Sequence, residues 1–111
     1  MEIGQTISTI VQRPIMAQVG VLSEYIYQKV ELLPKRMQHT YGQKLMDKLV
    51  ILFMYAKRET MQGGHMTKIH SVLEEINALS GMIYFLKGWP LKTAAFIDVK
   101  CVEISKMHVE S

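Results

Sequence analysis

Three breaks divide this chain and leave little freedom in what it can fold into. Pro34, the pair Gly63-Gly64 and the run Gly88-Trp89-Pro90 separate four stretches in which apolar residues recur at steps of three and four. That is the period of an α-helix, and it places each set on one face. The first stretch, from about Pro14 to Leu33, carries Ile15, Val19, Leu22, Ile26, Val30 and Leu33. Pro14 suits a first helical position, where a missing N–H costs nothing, and Pro34 ends the helix before it. The second stretch, about Thr40 to Met61, opens on Thr40-Tyr41-Gly42-Gln43, which has the Thr-x-x-Gln form of a capping box. Gly42, Leu45, Leu49, Leu52 and Ala56 are its expected inward stripe, widened by Met46 and Phe53.

The third stretch, about Thr67 to Lys87, has the cleanest seam: Ile69, Val72, Leu73, Ile76, Leu79, Ile83 and Leu86. Gly88 closes it, with Pro90 following, the usual order at a helix C-terminus. In the fourth, about Pro90 to His108, Ala94, Ile97, Cys101 and Ile104 share one face and Ala95, Val99 and Val102 the next. So wide an apolar arc, together with Trp89 and Phe96, predicts that the N-terminal leader or a second subunit covers part of it. The expected fold is all-α: an antiparallel up-down four-helix bundle over residues 14–111, preceded by a short N-terminal leader, residues 1–13.

The 111 residues suffice for one domain. Seven Gly and three Pro are too few for the frequent turns of a β-sandwich, and a single Cys excludes an internal disulfide and a cysteine-based zinc site. The most apolar run, Leu49 to Ala56, is far shorter than the ~20 residues of a membrane span. No basic segment followed by an apolar one opens the sequence, so the expectation is a cytoplasmic protein with no membrane contact.

Chemistry is scarce. No Glu-x-x-His occurs, although a di-iron bundle needs two. His70 and Glu74 form one i,i+4 pair with no second pair to complete a metal site. Cys101 falls on an inward face and no His is placed to activate it. Gly63-Gly64 lacks the frame of a phosphate-binding loop. No catalytic, cofactor-binding or metal-ligating residues are expected, and the chain reads as a non-enzyme.

The basic residues say more. Between residues 35 and 58, six Lys or Arg stand against one acid, Asp47, whereas the rest of the chain has seven against nine. Lys35, Arg36, Lys44, Lys48, Lys57 and Arg58 are therefore the candidate nucleic-acid-binding residues. Lys44 and Lys48 would project from the outer face of the second helix, in a stripe able to lie along a phosphate backbone. An ordinary solvated helix face is the competing reading.

The order of features resembles a bacterial four-helix-bundle family. Its first helix ends in Pro followed by basic residues, here Leu33-Pro34-Lys35-Arg36. Its second opens on an aromatic or Leu followed by Gly and finishes in an Ala-basic pair, here Tyr41-Gly42 and Ala56-Lys57-Arg58. Residues 69–89 are similar to its third helix and residues 96–107 to its fourth, so the likeness covers roughly residues 15–107. Two features depart from it. The third helix reads Leu79-Ser80-Gly81-Met82 where an Arg is common, and a Gly-Gly-Trp tail is replaced by His108-Val109-Glu110-Ser111.

The family comprises the accessory variability determinant (Avd) proteins of diversity-generating retroelements and proteins encoded in 23S rRNA intervening sequences. The resemblance implies a homopentamer with a basic surface. For the retroelement branch it implies binding to the reverse transcriptase and to template RNA or an RNA–DNA hybrid, in support of mutagenic cDNA synthesis. An intervening-sequence bundle and a protein-binding helical adaptor are the alternatives.

Overall fold

The computed structural model describes residues 14–107. Four long helices build the fold: α1 (Pro14–Glu31), α2 (Gln43–Gln62), α3 (Met66–Phe85) and α4 (Leu91–Ser105). The described residues contain no strand, and the protein is an all-α four-helix bundle. Each helix packs on the next in the chain, and α1 closes the ring against α4. Contacts descend in register between neighbours: the His70 ring meets the Ser105 carbonyl, and Asn77 meets Asp98. Numbers rise along α3 as they fall along α4, so the two run in opposite directions. Lys48 with Glu75, and Glu59 with His65, relate α2 to α3 in the same way. The leader assigned to residues 1–13 lies outside the described residues, as do residues 108–111. No described helix is long and apolar enough to cross a membrane.

The inward stripes form the core. All six apolar residues of the first stretch are buried, as are Leu45, Leu49, Leu52 and Ala56 of α2 and Ile69, Val72, Leu73, Ile76 and Ile83 of α3. Ile97, Cys101 and Ile104 complete it from α4. Trp89, counted in the surface expected to be covered by the leader or a second subunit, is covered by its own bundle at 6% exposure, and its indole N–H donates to the Ser80 carbonyl at 3.1 Å. Phe96 likewise stacks on Tyr25 of α1 at 4.0 Å between ring centroids. Phe53 is 45% exposed and does not widen the stripe, because it stands about 100° past Leu52 around the helix. Leu86 is also 45% exposed, since it falls beyond the last turn of α3.

Two helix ends differ from expectation. Thr40 caps nothing: its hydroxyl donates to the Arg36 carbonyl at 2.9 Å. Helix begins earlier, with one turn at Lys35–Met37 directly after Pro34, and reaches α2 through a π-helical turn, Gln38–Gly42. Gln38 uses that position to donate from Nε2 to the Leu33 and Glu31 carbonyls at 2.7 and 3.0 Å, which occupies free acceptors at the end of α1.

At the end of α3 the left-handed residue is Lys87, φ 64°, and not Gly88. The Gly88 N–H donates to the Ile83 carbonyl and the Lys87 N–H to that of Tyr84, the paired bonds of a Schellman turn. Gly88 answers a different need, which is space. A Cβ there would lie 2.7 Å from both Ile83 Cγ2 and Met37 Sδ, and 3.1 Å from Leu33 Cδ2. The loop after α3 thus sits directly on the loop after α1.

Candidate nucleic-acid interface

The six predicted residues separate in space. Lys35 and Arg36 occupy the one-turn helix at the α1–α2 connection, and both are exposed. Lys44 is exposed on the first turn of α2. Lys57 and Arg58 lie near its other end, roughly 20 Å away at 1.5 Å per residue. They do not share a line. Arg58 falls about 40° from Lys44 around the helix, and Lys57 about 140° away on the opposite flank.

Lys48 is not on the outer face. Its ammonium pairs with Glu75 of α3 at 2.9 Å, in an open groove also lined by Lys44, Asp47, Ile51 and Leu79. The core stripe of α2 is centred near Leu49 and Leu52, which turns Lys48 toward α3. With 32% and 49% of the two side chains exposed, the pair contributes ~0–1 kcal/mol, yet it cancels the charge locally. The outward surface of α2 is mixed: Val50, Met54 and Met61 are 60%, 43% and 59% exposed, and exposed Gln43 and Lys57 share the face with them.

Glu59, one residue past the basic window, is buried at 5% exposure. Its Oε1 accepts the His65 backbone N–H at 2.9 Å and so fastens the α2–α3 turn. Beside it, Nδ1 of His65 is buried without a partner.

The positive charge gathers elsewhere. Because Gly88 brings the α3–α4 connection onto the α1–α2 connection, Lys87 and Lys92 join Lys29, Lys35 and Arg36 at one end of the bundle. These five cations face one acid, Glu31, whereas the remaining described residues hold seven bases and seven acids. The whole net charge of the described chain therefore lies at this end. Glu31 is itself engaged: it accepts a hydrogen bond from Tyr27, and that bond together with the carboxylate charge holds the phenol above its ordinary value. The first turn of α4, which opens here, carries no acid and no side-chain cap.

Sequence reading missed Lys87 and Lys92 because a linear window cannot join residues more than 50 positions apart, and Lys29 because the window opened after Glu31. In an up-down bundle, however, the first and third loops share an end, and adding their charges would have found the site.

The other end and the walls offer less. His70 reaches across to the Ser105 carbonyl at 2.7 Å rather than to Glu74. A shallow cavity of about 220 Å³ lies there, lined by His70, Asn77, Cys101 and Ser105 among others. Cys101 is buried, and burial first, then Asp98, pushes its thiol up to about 12, so it is a packing residue and not a nucleophile at neutral pH. Among the described residues no three His, Cys, Asp or Glu side chains converge on a metal position. Compared with known proteins, the chain matches no family model, no curated protein and no solved structure.

Proposed function

We propose that this chain is a non-enzymatic accessory protein of the Avd type, acting in the cytoplasm. It binds a reverse transcriptase and its template RNA, and supports the mutagenic cDNA synthesis of a diversity-generating retroelement. The observation that carries the RNA-binding part is the segregation of charge. Five cations against one carboxylate at one end of a bundle otherwise balanced form a field suited to a polyanion. Lys35 and Arg36 belong to it, while Lys44 lines the α2–α3 groove, Lys48 is neutralised there and Lys57 and Arg58 stand apart. The order of motifs from Leu33-Pro34 to Ala56-Lys57-Arg58 supports the family assignment.

Homo-oligomerisation, as a pentamer, belongs to the same reading. Val99 and Val102 on the outer face of α4, 52% and 42% exposed, and Val50, Met54 and Met61 on the outer face of α2 are the surfaces available for it. That outer face of α2 also favours a second reading, a helical adaptor that binds protein alone.

The test is binding of labelled RNA to the purified protein over a range of salt, together with co-purification of a co-expressed retroelement reverse transcriptase. RNA affinity should fall steeply as salt rises, and the enzyme should be retained. Absence of RNA binding at low salt overturns the proposal in favour of the adaptor. RNA binding without retention of the enzyme moves the chain to the intervening-sequence branch.

A further inference from the structure

The charged end is also the most apolar part of the exposed surface. Leu32 and Phe85 are 78% and 79% exposed, Leu91 is 60% and Leu86 is 45%. None of these is needed for the core, which Leu33, Ile83 and Trp89 close from beneath. Charge alone does not account for them. A duplex would satisfy the cations through its phosphates and leave four large apolar side chains against water, because its base faces are stacked inside.

A second copy docked end to end would oppose five cations to five. A lipid surface prefers apolar residues gathered at a tip with the basic ones behind. Here they interleave along the chain, Leu32 with Lys35-Arg36, Phe85-Leu86 with Lys87, and Leu91 with Lys92. Alternation of cations with apolar platforms is what an unstacked strand requires, since each nucleotide presents one phosphate and one flat apolar face.

We infer that this end of the bundle is a binding site for single-stranded RNA, with Phe85 as the stacking platform and Lys35, Arg36, Lys87 and Lys92 as the phosphate contacts. The inference rests on the RNA-binding reading above and adds to it the place of contact and the strandedness of the ligand. Lys87 has a defined place in it: the backbone bonds from Lys87 to Tyr84 and from Gly88 to Ile83 hold it at φ 64°, two residues after Phe85. The leucines supply apolar contact to bases on either side of Phe85.

The experiment uses a fluorescent oligo(U) and an RNA duplex of equal length, with binding read by anisotropy. Three variants are compared with the unsubstituted protein: Phe85→Ser, Lys35→Glu with Arg36→Glu, and Lys57→Glu with Arg58→Glu at the far end. Circular dichroism checks their helicity. The unsubstituted protein should prefer oligo(U). Phe85→Ser should weaken oligo(U) binding by roughly tenfold, the scale of one lost base stack, and leave duplex binding unchanged. Lys35→Glu with Arg36→Glu should weaken both ligands by more than the far-end pair does.

Equal affinity for the two RNAs with Phe85→Ser neutral overturns the single-strand site but leaves RNA binding standing. Failure of the unsubstituted protein to bind either RNA overturns the reading beneath it as well. Binding to phosphatidylglycerol vesicles, abolished by Phe85→Ser and unaccompanied by oligo(U) binding, assigns the same end to a membrane and overturns the proposal.

Discussion

Lys87 separates the stability of the charged end from the RNA binding proposed for it. A non-glycine residue in the left-handed region carries about 1–2 kcal/mol of strain, because its Cβ crowds the following carbonyl. Lys87→Gly removes that strain, and gives back ~0.4–1 kcal/mol through the greater freedom of glycine in the unfolded chain. The paired hydrogen bonds from Lys87 and Gly88 to Tyr84 and Ile83 involve backbone only and survive the change. The net gain should be about 0.5–1 kcal/mol, which for a domain of this size raises Tm by roughly 2–8 °C.

The same substitution deletes a cation, so the slope of log affinity for single-stranded RNA against log salt should fall in magnitude by about 0.7. Lys87→Ala is the control: it keeps the strained φ and loses the charge, and should copy the binding defect without the stabilisation. Thermal melts and salt titrations of the three proteins decide the matter. If alanine stabilises as much as glycine, the positive φ contributes nothing. If glycine alone restores stability but RNA binding is unaffected in both, Lys87 is not a phosphate contact.

Three further outcomes are expected. Gly88→Ala should destabilise by about 1–3 kcal/mol in urea titrations, since the buried Ile83 cannot yield, whereas Gly81→Ala, with no neighbour within 4 Å of the added Cβ, should stabilise by ~0.5–1 kcal/mol. Leu49→Ala and Ile76→Ala should each cost roughly 2–5 kcal/mol, while Phe53→Ala should cost less than either because its ring is half outside; a Phe53 effect as large as theirs contradicts the placement of the stripe. Cys101 should resist thiol reagents in the native protein at pH 8. Its raised value also means that the native state holds its proton longer than the unfolded one, so its contribution to stability is complete below about pH 9 and declines toward pH 12; Cys101→Ala should remove that part of the alkaline slope.

The fold was legible because burial in a bundle is a local matter. Ile15, Val19, Leu22 and Ile26 repeat at helical spacing, and any partner that covers one covers all. The ends were less legible because capping depends on which donor reaches which carbonyl. Thr40 has the right spacing to Gln43, yet the chain is already helical when it arrives, so its hydroxyl turns back to Arg36 and Gln43 bonds Asp47 instead. Gly88 was placed correctly and explained wrongly: its signal was a helix stop, and its structural use is the close approach of Met37 and Leu33. The candidate site suffered most. Charge counted along residues 35–58 takes in Lys48, which a partner helix neutralises, and omits Lys87 and Lys92, which only folding brings near Arg36.

The placement of the two kinds of apolar surface bears on how the proposed assembly and the proposed site coexist. Val50, Met54 and Met61 lie along the side of α2, and Ala95, Val99 and Val102 along the side of α4, so both faces parallel the bundle axis. Leu32, Phe85 and Leu91 sit at one end of that axis. Contact between unlike side faces, α2 of one subunit against α4 of the next, is heterologous and closes into a ring when the rotation per subunit allows. Every subunit in such a ring points its charged end the same way. The side faces are then consumed by assembly while the ends stay open, and a modest charge excess per chain is repeated around one rim. Affinity for a long strand would exceed that of a single end through multivalency, without any new contact. A substitution on α4 such as Val99→Glu should therefore reduce oligomer size and affinity for long RNA together, and leave the binding of a short oligo(U) unchanged.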